Sequence, residues 1–154
     1  GFDSAEHKFA VKQIMKDKLT KEQLRSLKDE VKIMLALKSE HVVRLYATMQ
    51  TKTHYYLVME YCGGGDLDRL QGKKLSERIV QRIVHQLGKG LKVLFDNGIV
   101  HRDLKLSNLL LSSKKQDAML KLADFGVAKR LRENERTKSF CGTPLYMAPE
   151  ILAG

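Results

Sequence analysis

The chain has 154 residues, 43% of them hydrophobic, and 28 Lys and Arg against 18 Asp and Glu give a formal net charge of +10. That suits one soluble globular domain with a sizeable core, and no uninterrupted apolar run approaches the ~20 residues a bilayer-spanning helix needs. The opening GFDSAEHKFAV lacks the apolar run and small-residue cleavage site of a secretory signal.

Two cysteines, Cys62 and Cys141, stand far apart with no CxxC or Cys/His spacing, which fits reduced thiols and a cytoplasmic location. The basic residues scatter along the chain, and acids are interleaved among them. No zinc finger, RNA-binding motif or basic run interleaved with aromatics is present, so the charge reads as a solvated surface that tolerates an anionic ligand. A basic nucleic-acid binder is the weakest alternative, and no specific nucleic-acid partner is expected.

In chain order, residues 8–15 (KFAVKQIM) alternate as a strand does. Thr20 and Gln23 have the T-x-x-Q form of a capping box, so a helix is predicted from Thr20 to about Leu37, with Leu24, Leu27, Val31, Met34 and Leu35 on its apolar face. Residues 42–50 and 54–60 read as two strands around a polar turn, and the Cys62-Gly63-Gly64-Gly65 run then breaks the pattern. Ser76 is placed to cap a long helix reaching about Asp96, with a buried stripe of Val80, Val84, Leu87, Leu91, Leu94 and Phe95. Residues 109–111 and 119–123 look like short strands around a polar loop, and from Asp124 onward the chain reads as mostly irregular.

Several side chains invite a chemical reading. Lys12 lies inside the first strand, where a lone lysine ordinarily faces outward. Glu30, three residues after Leu27 and four before Met34, shares the apolar face of the first helix. An unpaired carboxylate there is costly, so a cation is implied, and Lys12 is the obvious one. Asp103 and Asn108 precede the strand 109–111, while Asp124 directly follows the strand 119–123. Two strands joined by a short loop bring these ends together, making an oxygen-lined site suited to a hard cation such as Mg²⁺. Phosphoryl transfer needs little more than held phosphates, neutralised charge and a carboxylate near the incoming hydroxyl.

The motifs FAVK at 9–12, HRDLKLSN at 101–108, DFG at 124–126 and APE at 148–150, with Glu30 between them, resemble those of a eukaryotic protein kinase over almost the whole chain. The resemblance implies an α+β, bilobal kinase-like fold, partial at both ends. Residues 1–60 would form a small lobe of antiparallel strands plus one helix, without the glycine-rich loop. Residues 61–65 would be a hinge, and 66–154 a mainly helical large lobe with a short β-hairpin, ending after the activation segment.

It implies ATP and Mg²⁺ as cofactors and protein substrates presenting Ser or Thr hydroxyls. Lys12 would hold the α- and β-phosphates and pair with Glu30. Asp103 would orient the substrate hydroxyl and accept its proton, Lys105 would steady the γ-phosphate, and Asn108 and Asp124 would bind the metal. Lys105 and the Gly142-Thr143-Pro144 run resemble the serine/threonine class. Met59 would be the gatekeeper, Glu60 and Cys62 would offer backbone hydrogen bonds to adenine, Ala10 and Leu110 would sandwich the ring, and Asp66 would reach the ribose. Met34, Leu45, His101 and Phe125 would stack into an apolar column, with His101 structural rather than catalytic. Gly63–Gly65 lacks G-x-G-x-x-G spacing and reads as hinge, not phosphate cradle.

Arg102 and Lys129 match basic residues that clasp a phosphate on the activation segment, with Ser139 the first candidate acceptor and Thr137 the second. YLVMEYCGGGDL and GTPLYMAPEIL are similar to autophagy-initiating kinases, while DFGVAKRL also resembles cyclic-nucleotide-dependent ones. The absent glycine loop and the missing helices beyond APE lead us to expect exposed apolar surface on helix 76–96, a partnerless Glu150 and weak activity from this stretch alone. The rival reading is a non-catalytic short form acting as a binding or decoy module.

Overall fold

The computed structural model describes residues 8–131 and 141–153. Strand β1 (Phe9–Met15) is followed by helix α1 (Lys21–Ala36), β2 (Leu45–Gln50) and β3 (His54–Glu60). These strands form an antiparallel sheet of order β1-β3-β2, with Lys12 opposite Leu57 and Ala10 opposite Met59. The α1 start follows the local chemistry: the Thr20 hydroxyl accepts from Gln23 N at 3.1 Å, and the Gln23 side chain accepts from Thr20 N at 2.9 Å.

One predicted strand is shortened. Residues 42–43 leave the small sheet and bridge in parallel to Leu122, with Val43 N donating to the Leu122 carbonyl and Leu122 N to the His41 carbonyl, both at 2.9 Å. Apolar alternation could not reveal that those residues pair with a strand some eighty positions away.

After β3, the chain forms β4 (Gly65–Asp66), a 3-10 turn at Asp68–Leu70, and helix α2 (Glu77–Asp96). It continues through β5 (Ile99–Val100), a 3-10 turn at Leu106–Asn108, β6 (Leu109–Leu111), β7 (Leu120–Leu122), β8 (Lys129–Arg130), a turn at Pro144–Tyr146 and the short α3 (Pro149–Ala153). Strands β4, β6 and β7 make a second antiparallel sheet, and β5 pairs with β8, two short strands the sequence pattern did not reveal.

The glycine run explains itself here. Gly63 N donates to the Ser112 carbonyl at 3.1 Å and Gly64 N to the Leu111 carbonyl at 2.9 Å. A Cβ on Gly64 would fall 2.2 Å from the Ser113 carbonyl oxygen, so only glycine permits this approach.

One core joins the two sheets, running from Leu27, Ile33 and Met34 of α1 through Val42, Leu45 and Leu57 to Leu94, Leu120, Leu122 and a fully buried Phe125. Two predicted apolar faces need correction. On α1, Leu35 is exposed and Ile33 takes its place in the core. On α2, Leu94 is buried and Leu87 and Leu91 are half-buried, but Val80, Val84 (58% exposed) and Phe95 (82% exposed) face outward, as the exposed apolar surface expected on this helix. Gln86 and Gly90 occupy the buried positions instead, because α2 presses against β7, where a glycine and a hydrogen-bonding amide fit better than branched side chains. Ser76 is the N-cap by position, yet its side chain makes no capping bond.

Candidate active site

Lys12 is on β1 and Glu30 on the buried face of α1. Packing α1 beside the sheet joins them, with Lys12 Nζ 2.8 Å from Glu30 Oε1. Glu30 is only 4% exposed, so this cation satisfies a carboxylate that burial would otherwise penalise. The same ammonium lies 3.7 Å from Asp124 Oδ1. Asp124 has φ of +60°, a left-handed conformation that is uncommon outside glycine. The next glycine accommodates the carboxylates: a Cβ on Gly126 would lie 3.3 Å from Asp124 Oδ1 and 3.9 Å from Glu30 Oε2.

A second cluster surrounds Asp103. Its Oδ1 accepts from the Thr143 hydroxyl at 2.6 Å, and its Oδ2 lies 2.9 Å from Lys105 Nζ and 3.1 Å from Asn108 Nδ2. Lys105 also donates to Thr143 Oγ1 at 3.2 Å. Burial pushes the Asp103 carboxyl up, but the Thr143 hydroxyl, the Lys105 ammonium and the Asn108 amide together outweigh it and hold the group below the usual carboxylate range. Lys105 is raised in turn, chiefly by its hydrogen bond to Asp103. The sequence pointed to Thr143 as a class marker. That its hydroxyl reaches Asp103 could not be read from two residues 40 positions apart.

The β6–β7 hairpin couples the clusters. Ala123 N donates to the Asn108 carbonyl at 3.0 Å, setting Asn108 beside the segment that ends in Asp124. Asn108 directs its Nδ2 at both the backbone carbonyl and the carboxylate of Asp103, so Oδ1 is the atom left to accept or coordinate. That amide oxygen and the Asp124 carboxylate are a hard-oxygen donor pair suited to Mg²⁺, which keeps several waters and takes few protein ligands. Among the described residues, no group of three His, Cys, Asp or Glu is gathered for a metal, so a closed all-protein cage is not what this region offers.

His101 is buried against Phe125, ring centroids 5.0 Å apart. It faces the Ala123 carbonyl through Nε2 at 3.0 Å and takes the Asp103 N–H on Nδ1 at 3.4 Å, a pattern that assigns the neutral Nε2–H tautomer. Burial pushes its pKa down, in keeping with a structural role. Met34, Leu45 and Phe125 lie in the one core with which His101 packs. Arg102, with φ of +68°, donates from Nε to the Val127 carbonyl at 2.6 Å, and the β5–β8 pair sets Val100 opposite Lys129. Ser139 and Thr137 lie outside the described residues.

The remaining expected positions lie on the paired strands and on the run that follows β3. Ala10 is opposite Met59 in the β1–β3 register, and Asp66 is opposite Leu110 in the β4–β6 register. Glu60 N is taken by the Arg44 carbonyl at 2.8 Å, and the Cys62 carbonyl accepts from Gly65 N at 3.1 Å. The Cys62 thiol is pushed up to about 11, first by burial and then by the charge of Glu60. Glu150 is exposed and has no ion pair among the described residues.

A Lys–Glu–Asp cluster and an ionised Asp with its own lysine, tied together by the β6–β7 hairpin on an α+β fold, define the class. The chain belongs to the protein kinase domain family, whose model matches residues 2–154. It is 42% identical over 145 residues to the serine/threonine-protein kinase ATG1c of Arabidopsis thaliana, covering 93% of this chain and 20% of that protein. It is also 42% identical over 151 residues to human serine/threonine-protein kinase ULK1 (93% and 14%) and over 155 residues to unc-51 of Caenorhabditis elegans (93% and 18%). The chain therefore spans about a fifth or less of the length of these relatives.

Proposed function

We propose that this chain carries the catalytic site of a serine/threonine protein kinase, which moves the γ-phosphoryl group of MgATP to a serine or threonine hydroxyl of a protein substrate. One observation carries the reading: Asp103 is held ionised by Thr143, Lys105 and Asn108, while Lys12 pairs with Glu30 and lies 3.7 Å from Asp124.

In this reading Asp103 orients the incoming hydroxyl and takes its proton as the oxygen bonds to phosphorus. Lys105 offers its ammonium to the transferring group, and Lys12, fixed by Glu30, offers its own to the α- and β-phosphates. Asn108 and Asp124 would hold Mg²⁺, which when bound neutralises phosphate charge.

Around the base, Ala10 and Leu110 would sandwich adenine, with Met59 at the back of the pocket and Asp66 toward the ribose. Glu60 would accept with its carbonyl, because its N–H is occupied, and Cys62 would donate with its N–H, because its carbonyl is occupied. Residues 1–60 and 66–154 would be two lobes joined by 61–65. A cytoplasmic location suits the two free cysteines. The autophagy-initiating kinases are the subfamily we favour, given the relatives named above.

Calorimetry with MgATP and a phosphotransfer assay test the core of this proposal. Asp124→Ala is expected to abolish MgATP binding. Asp103→Asn is expected to bind it and transfer about 10²–10⁴-fold more slowly. MgATP binding indifferent to Asp124, or transfer indifferent to Asp103, would overturn the assignment. We also read Arg102 and Lys129 as the clasp for a phosphate on Ser139 or Thr137. Full activity of Ser139→Ala, with no phosphate found on either residue by mass spectrometry, would sink that reading.

A further inference from the structure

The β6–β7 hairpin has two ends. One carries Asn108 and Asp124; the other, residues 111–118, meets α2 and the 3-10 turn after β4 to wall a cleft of about 440 Å³ away from the catalytic cluster. Its floor is apolar, made by Leu70, Ile83, Leu111 and Ala118. A smaller cavity of about 180 Å³ shares Leu70 and Ile83 and continues the apolar surface to Leu75 and Val80.

Three cations stand at the rim: Arg78 and Arg82, one turn apart on α2, and Lys115 from the hairpin turn. No carboxylate lines the cleft. Among the described residues none of the three has an ion pair, and Arg82 makes only a 3.5 Å contact with the Ala118 carbonyl. Like charges one helical turn apart repel, and among the described residues no carboxylate pairs with them.

Uncompensated cations around an aliphatic floor call for an occupant that is both anionic and aliphatic. Nucleic acid fits poorly, because no aromatic side chain lines the cleft for a base to stack on. We propose that this cleft docks an acidic, aliphatic peptide segment of a protein partner, its carboxylates meeting Arg78, Arg82 and Lys115 and its aliphatic side chains lying on Leu70 and Ile83. The cleft uses none of the residues assigned to phosphoryl transfer, so either reading can fail alone.

The test is fluorescence anisotropy on the intact protein with a dye-labelled peptide Glu-Asp-Leu-Ile-Leu-Glu-Asp. Saturable, salt-sensitive binding is expected, weakened about tenfold or more by Arg78→Glu with Arg82→Glu, and less by the glutamine pair. Lysine in place of the peptide's acids, or serine in place of its Leu and Ile, is expected to remove binding. MgATP affinity, measured alongside, stays at the parent value if the variants are folded. Absence of saturable binding, equal binding by the folded Glu variant, or equal binding of the charge-reversed peptide overturns the proposal. Tighter binding of a single-stranded oligonucleotide through the same two arginines would overturn it in favour of nucleic acid.

Discussion

Asp103 keeps its charge through three donors: Lys105 two residues on, Asn108 in the turn just before β6, and Thr143 beyond β8. A carboxylate whose pKa is depressed on folding contributes stability above its ordinary value of 3.8, and that contribution is lost as pH falls through the lower folded value. Thr143→Val removes one donor, so the Asp103 pKa rises toward the ordinary value. The acid limb of the phosphotransfer pH–rate profile is then expected to move to higher pH, with slower transfer at its plateau. A limb at the parent position would mean that the hydroxyl does not hold Asp103. Lys105, two positions from Asp103, was legible as a residue of the site, but the motif assigns it to the γ-phosphate and does not reveal its ion pair with Asp103. Thr143 is not revealed as a partner either, since only the return of the chain after β8 brings it back.

The helices show how far pattern carries at the scale of elements. The α1 capping box was legible because its two hydrogen bonds join residues three apart and need nothing from the rest of the fold. The stripe read for α2 holds at Leu94 and in part at Leu87 and Leu91 but not at Val80, Val84 and Phe95, because a hydropathy stripe records only the helix's own residues, whereas burial depends on what lies alongside. Two glycines in α2 make this measurable. At Gly88 an added Cβ meets nothing within 4 Å, so Gly88→Ala is expected to stabilise the protein by about 0.5–1 kcal/mol through helix propensity alone. At Gly90 the same Cβ would lie 3.0 Å from Leu122 Cδ1 and 3.3 Å from the His41 carbonyl. Overpacking of roughly 1–3 kcal/mol then outweighs the propensity gain, and Gly90→Ala is expected to destabilise. Denaturant midpoints read both signs, and equal shifts would contradict the close packing of α2 on β7.

Across the whole molecule, Lys121 ties distant parts together. It is 7% exposed, and its Nζ lies 2.9 Å from Glu60 Oε1 at the end of β3 and 2.8 Å from the Glu40 carbonyl before β2. With the parallel bridge from Val42 to Leu122, this bond fixes the three-stranded sheet carrying Lys12 onto the hairpin carrying Asp124. Glu60→Gln removes the counter-charge while leaving the backbone carbonyl that we assign to adenine. It is expected to lower stability by about 1–3 kcal/mol and to speed amide exchange over residues 60–65. An unaltered denaturant midpoint would show the pair to be dispensable.

By itself the sequence determined the elements and the chemical vocabulary: the capping box, the strands at β1, β3 and β6, a carboxylate on an apolar helix face, and the run of motifs that carries the family resemblance. Each is written in residues close together in the chain, where short-range hydrogen bonds and side-chain periodicity act. The tertiary structure alone decided what meets across long separations: Thr143 on Asp103, Lys121 on Glu60, residues 41–43 on β7, the pairing of β5 with β8, and the cations around the α2 cleft. Those contacts are chosen by the packing of one shared core around Phe125, a many-body competition for buried volume that no local stretch of sequence encodes.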